Sequence, residues 1–218
     1  MTHSEENYLK TIFHLGRNGK GSVSTNAIAE QAETKPSSVT DMVKKLSEKG
    51  LVNYKKYQGV SLTPKGTKMA LSIVRKHRLW EVFLVEKLNF SWDEVHEVAE
   101  QLEHIKSEKL IDKLDELLNY PKFDPHGDPI PSKTGEFQER NKQLLSMMPI
   151  PSKGICVGVK DSSATFLKFL DRNKIALGNV LEIVEKEAFD NSLHIIVKGE
   201  KLQISNQIAS NLYVKPNE

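Results

Sequence analysis

The chain has 218 residues, 31 Lys+Arg against 29 Asp+Glu, 38% apolar residues and a single cysteine. The length fits one large domain or two to three small ones, and the apolar fraction is enough for packed cores, which excludes a chain disordered throughout. One cysteine builds neither a disulfide framework nor a cysteine-rich zinc site, so any metal must be held by imidazole, carboxylate and amide groups. No apolar run reaches the ~18–20 residues that span a bilayer, and the opening MTHSEENYLK lacks the basic and apolar regions of a signal peptide; the expectation is a cytoplasmic protein.

Residues 1–65 hold 10 Lys+Arg and 6 Asp+Glu, a net of +4, whereas residues 91–120 hold 3 Lys and 9 Asp+Glu, a net of −6. A basic head suits a polyanion, but it also suits an ordinary solvated surface, so pattern has to decide.

In residues 4–16, Tyr8, Leu9, Ile12, Phe13 and Leu15 recur at helical spacing behind Ser4 as N-cap. Ser24-Thr25-Asn26 then opens a short helix through Ala27, Ile28, Ala29 and Ala32. A third helix starts near Pro36, carries Val39, Met42, Val43 and Leu46 on one stripe, and stops at Gly50. From Leu51 to Thr63, LVNYKKY, a Gln58-Gly59 turn and VSLT predict a hairpin. Three helices followed by a hairpin is the order of a winged helix-turn-helix.

A long helix is expected from Gly66 to about Leu88, and a second from Ser91 through Trp92, Val95, Val98, Ala99, Leu102 and Ile105; a later stretch runs through Leu114, Leu117 and Leu118. Long amphipathic helices suggest a dimerisation domain. The proline-rich YPKFDPHGDPIP at 120–131 reads as an extended surface loop, followed by a short helix at about 136–147. Beyond Pro151 the β-branched runs ICVGV, VLEIVE, LHIIVKG and LQIS, with a small helix at Thr165 to Asp171, indicate a small β-barrel. The division expected is 1–65, 66–148 and 149–218, in a mainly α chain.

A helix entering the major groove needs short polar side chains near its N-terminus and cations nearby for phosphates. With Val39, Met42, Val43 and Leu46 inward, the third helix turns out Ser37, Ser38, Thr40, Asp41, Lys44 and Lys45, and the hairpin adds Lys55, Lys56 and Tyr57. The same features fit an amphipathic helix with a solvated face, or a winged helix that binds protein.

At about 100° per residue, His96, Glu100, Glu103 and His104 fall at about 0°, 40°, −20° and 80° of a helical wheel, and His77 and Glu81 share a face of the preceding helix. Imidazoles and carboxylates without sulfur favour Mn(II) or Fe(II), while Zn(II) and Co(II) also fit chemically. Competing readings are ordinary i,i+4 His–Glu pairs, a metal-activated water in a hydrolase, and a metallochaperone-like module; against a hydrolase, there is no HExxH arrangement.

The segments ENYLKTIFHL (6–15), KPSSVTDMVKKLSEKGLV (35–52), LTPKG (62–66), RKHRLWE (75–81), VHEVAEQLEHIKSE (95–108) and HGDPIP (126–131) together resemble the diphtheria toxin repressor family of iron- and manganese-dependent transcriptional regulators. The resemblance implies an SH3-like C-terminal barrel and a homodimer that binds a palindromic operator when metal is bound, usually repressing metal-uptake genes. It carries over Glu100, Glu103 and His104 as primary ligands, Asn7 as the N-terminal ligand, and His77, Glu81 and His96 as an ancillary site. Glu100 in place of the Cys of iron sensors points to Mn(II) ahead of Fe(II), with Zn(II) or Co(II) as substitutes in vitro. The manganese branch usually has carboxylates where this chain has Asn7 and Lys10; a protonated Lys10 cannot coordinate and repels a second cation, which favours a primary site plus a separate ancillary one. Asp161 is a further candidate ligand, with a turn role as its alternative. No enzymatic activity, membrane or small organic substrate is expected; a winged-helix regulator that responds to a non-metal ligand remains the rival.

Overall fold

The computed structural model describes residues 1–16, 18–19, 21–55, 58–138 and 140–217. It forms two compact units: one comprises Met1–Trp80, Ala99–Glu116 and Ile130–Phe137, the other Glu81–Val98, Leu117–Pro129 and Gln138–Glu218.

The first unit begins with α1 (His3–Leu15). Its N-cap is Thr2 and not the expected Ser4, because Thr2 and Glu5 make a reciprocal capping box: Thr2 Oγ1 accepts from the Glu5 N–H at 3.3 Å and Glu5 Oε2 from the Thr2 N–H at 3.2 Å. In α2 (Thr25–Gln31) the Ser24 hydroxyl accepts from the Ala27 N–H. Then α3 (Pro36–Glu48) starts on proline in its first turn and ends at Gly50, whose φ of +67° suits a residue without a Cβ. Strands β1 (Val52–Lys55) and β2 (Gly59–Leu62) pair antiparallel, Val52 opposite Leu62, and Val23 bridges to Val60 by two 2.8 Å hydrogen bonds. Leu9, Ile12, Phe13, Ile28, Val39, Val43 and Leu46 fill one core, each large aliphatic side chain contributing about 1.5–3 kcal/mol by burial.

The 25-residue α4 (Pro64–Leu88) is capped by Thr63, whose hydroxyl accepts from the Gly66 N–H at 3.0 Å. A Cβ on Gly66 would stand 1.9 Å from the Leu51 carbonyl oxygen, so only glycine lets α4 pass this close to the start of the hairpin. The second helix predicted for this region is shorter than expected: α5 covers only Val95–Leu102, because residues 92–94 form a turn and the Ile105 N–H bonds back to Leu102. It is followed by α6 (Glu108–Leu117). Arg75 on α4 holds Asp115 at 2.7 Å and the Pro131 carbonyl at 3.1 Å.

No α-helix forms over the described residues of 136–147, contrary to the sequence expectation. Phe137 packs against the Phe13 ring, β3 (Gln143–Leu144) pairs with β8 (Leu212–Pro216), and a 3-10 turn covers Leu145–Met147; tertiary pairing overrides helical periodicity here. In the second unit β3, β4 (Ser152–Val159), β5 (Val180–Lys186), β6 (Leu193–Val197), β7 (Glu200–Ile204) and β8 make one antiparallel sheet in the order β3-β8-β4-β5-β6-β7. Strand β8 carried no sequence expectation. Bulges between Cys156 and Gly158 and between Ile183 and Glu185 bend β4 and β5 around a core that also takes Leu167 and Leu170 of α7 (Ala164–Arg172). The short α8 (Asn206–Ala209) leads into β8. This is a helical N-terminal part with an SH3-like C-terminal domain, and the chain is mainly α as expected.

Candidate metal centre

Glu103, in the turn after α5, is fully buried. Its Oε2 accepts from His77 Nδ1 at 2.6 Å and from Lys10 Nζ at 2.7 Å, while Oε1 is buried without a hydrogen-bond partner. Lys10 also reaches Glu100 Oε1 at 3.2 Å. Burial pushes the Glu103 carboxyl up, but His77 and Lys10 outweigh it and hold it below the usual range. An unsatisfied oxygen on a buried carboxylate is costly, and it sits on a donor set of carboxylate and imidazole that fits a divalent cation.

His104, the next residue, meets the N-terminal helix: its Nδ1 lies 2.6 Å from Glu6 Oε2 and its ring stacks on His3 at 4.2 Å. Because α5 stops at Leu102, His104 does not continue the helical face expected for it. Asn7 is exposed, and the carboxylate of α1 that meets His104 is that of Glu6, which the sequence reading passed over. A signal was present, since Glu6 adjoins Asn7. Its buried neighbour Glu5 accepts from Lys49 at 2.7 Å and pairs with Lys45 at 3.1 Å, so consecutive acidic residues of α1 hold His104 and the end of α3. The Lys49 bond, opposed by burial and aided by Lys45, holds the Glu5 carboxyl at about 2.

In the second unit, Glu81 is buried and its Oε1 lies 3.5 Å from Nδ1 of the exposed His96 and 3.7 Å from Nδ1 of the buried His126. Burial works against the charged His126 ring, but Glu81 and Asp124 raise it to about 9. His77 precedes Glu81 by one turn of α4, yet its Nδ1 is committed to Glu103. Asp161 accepts from the Ser163 N–H at 2.8 Å, the turn role. Cys156 is buried in the sheet core and burial raises its thiol to about 11, so it is held as the unreactive thiol.

On the nucleic-acid side, Ser37 and Ser38 are exposed at the start of α3, as are Lys44 and Lys45 further along and Lys55 on β1. Thr40 instead turns its hydroxyl back to the Pro36 carbonyl at 3.0 Å. Lys56 and Tyr57 lie outside the described residues.

Three family descriptions tile the chain: the iron dependent repressor N-terminal DNA binding domain matches residues 1–60, its metal binding and dimerisation domain residues 63–132, and the FeoA domain residues 143–216. A winged helix joined to a metal-binding dimerisation domain defines a metal-dependent DNA-binding transcriptional repressor, a homodimer and not an enzyme. The iron-dependent repressor IdeR of Mycobacterium leprae is 32% identical over 157 residues, 70% of this chain and 68% of that one. The transcriptional regulator MntR of Oceanobacillus iheyensis is 39% identical over 123 residues, 56% of this chain and 82% of that one. The solved structure of a manganese-dependent transcriptional repressor in complex with manganese superposes with a TM-score of 0.87 at 31% identity, covering 98% of this chain and all of that one. This chain belongs to the diphtheria toxin repressor family of iron- and manganese-dependent regulators. Among the described residues, no helix is long and apolar enough to cross a membrane.

Proposed function

We propose that this cytoplasmic repressor senses Mn(II), with Fe(II) next in preference and Zn(II) or Co(II) as substitutes in vitro, and that its homodimer binds a palindromic operator of metal-uptake genes. The observation that carries this reading is Glu103: a buried carboxylate with one oxygen unsatisfied and the other shared by His77 and Lys10. Glu100, Glu103 and His104 are the primary ligands, with Asn7 from α1, and His77, Glu81 and His96 serve the ancillary position. A bound divalent cation would bring two positive charges to these carboxylates. Lys10 already lends one charge to Glu103 and Glu100, which argues for a single metal beside them.

The switch runs through α1. Glu6 holds His104 while Glu5 holds Lys45 and Lys49 of α3, so a change in how α1 meets the ligand residues is passed to the helix that presents Ser37, Ser38, Thr40, Lys44 and Lys45 to DNA. Lys55 and Lys56 of the hairpin add phosphate contacts. The domain division that goes with this is 1–65 for DNA, 66–148 for metal and dimerisation, and 149–218 for the SH3-like part.

The test is fluorescence anisotropy of labelled DNA from the protein's own upstream region, titrated with chelated protein and then with Mn(II), anaerobic Fe(II) and Zn(II) at fixed salt. Tight binding that requires metal and disappears in Glu103→Ala and His104→Ala is the expected result. Binding indifferent to chelator, or equal in the variants, overturns the metal switch and favours a winged-helix regulator with a non-metal signal.

A further inference from the structure

Glu6 and Lys10 stand one turn apart on α1, and both reach the end of α5 and the turn after it: Glu6 meets His104, and Lys10 meets Glu100 and Glu103. Lys10 Nζ lies 2.7 Å from Glu103 Oε2 and 3.2 Å from Glu100 Oε1, so a single ammonium bridges two carboxylates that are 93 and 90 residues away in sequence. The Lys10 side chain is only 12% exposed and that of Glu103 is fully buried. An ammonium so far out of water is stable only where carboxylates repay its lost hydration, and these two are placed to do so.

The bridge ties α1 to the ligand residues by the means a metal ion would use, a positive charge shared between carboxylates. A lysine head is a compact point charge with three donors on a flexible four-carbon stem, able to leave its partners by swinging to solvent. An ion that takes the same two carboxylates brings a double charge next to a resident single one. At contact distances in a buried setting that repulsion exceeds what one charge-assisted hydrogen bond returns, so ion and ammonium compete for Glu103. The Glu103 oxygen buried without a hydrogen-bond partner, Oε1, gives the ion its first hold while the ammonium is still on Oε2.

We propose that Lys10 is the resident cation of this ligand set: without metal its ammonium clasps Glu100 and Glu103 and fixes α1 against them, and an entering divalent ion replaces it. This rests on the ligand role proposed for Glu100, Glu103 and His104. Metal arrival is then read by α1 as the release of Lys10, not as the first ordering of a loose helix. A clasp of this kind differs from a fixed structural salt bridge in the sign of its effects, because its loss loosens α1 only when metal is absent and strengthens metal binding.

The experiment uses the full chain, stripped with chelator and then saturated with Zn(II) as a diamagnetic probe. In lysine ammonium NMR spectra, the ¹⁵Nζ signal absent from both Lys10→Gln and Lys10→Arg should be present without metal and should shift or vanish with Zn(II). A Lys10 signal unmoved at Zn(II) saturation overturns the proposal, and that reading is taken on wild-type protein. Hydrogen exchange gives the second reading. Without metal, the α1 amides should exchange at least about tenfold faster in Lys10→Gln than in wild type, while Lys10→Arg, which keeps the charge, stays close to wild type. With Zn(II) the rates should converge. Equal exchange without metal, or a difference that persists with Zn(II), overturns the clasp, the second result marking a fixed strut. Glu103→Gln separates the two readings: Zn(II) binding that survives it unchanged fails the ligand set and the clasp together, whereas binding lost with it beside an unmoved Lys10 signal in wild type fails the clasp alone.

Discussion

The carboxylates of Glu103 and Glu81 are both buried and both face imidazoles, but a lysine ammonium is bonded to the first, while the imidazoles that face the second stand farther off. Lys10 Nζ lies 2.7 Å from Glu103, a charge-assisted bond, whereas Glu81 has His96 and His126 at 3.5 and 3.7 Å. A cation entering beside Glu103 must displace or tolerate a resident positive charge. Chemically similar clusters on one chain thus differ in what they ask of an incoming metal.

The comparison is broken most severely by Glu103→Gln. Loss of this carboxylate should weaken Mn(II) binding and metal-dependent DNA affinity by more than the about 10–100-fold typical of a supporting residue, read by anisotropy with and without chelator. Lys10→Gln sharpens it in the opposite direction. A charge-assisted hydrogen bond contributes about 1.5–3 kcal/mol, so its removal should tighten Mn(II) about ten- to hundredfold beside Glu103. A smaller effect is expected from Lys44→Ala, which should lower DNA affinity across all sequences and reduce the slope of log K against log salt by about one, without changing metal affinity.

The smallest effect concerns acid stability of the first unit. Glu5 is held at about 2 by Lys49, so its carboxylate stabilises the fold in full above its ordinary value of 4.5 and loses that contribution as pH falls toward 2. In thermal melts, Glu5→Gln should lie below the wild type at pH 7, and the gap should close between about pH 4.5 and 2. A gap independent of pH would assign the loss to packing instead.

The sequence made the helices and hairpin of the N-terminal part legible because each obeys local rules: Ser24 caps α2, Pro36 opens α3, and Gly50 ends it. The type of residue at the candidate centre was legible too, since His77, Glu100 and Glu103 stand at helical spacings. What local rules do not contain is partner choice across the chain. Lys10 and Glu103 are 93 residues apart, and Glu6 and His104 are 98 apart. The helix expected at 136–147 failed for the same reason, as Phe137 and the residues of β3 are claimed by neighbours distant in sequence. Likewise His126 reads as part of a surface loop until the fold brings it beside Glu81.

The pairing of Glu5 with Lys45 and Lys49 gives the protein an internal stand-in for a phosphate. A lysine already bonded to a carboxylate has fewer counterions to release, so under the DNA-contacting role proposed for α3 these lysines should add less to the salt dependence of DNA binding than Lys44 while Glu5 holds them. The N-terminal helix thus enters the electrostatics of the first unit's basic surface through the lysines it holds.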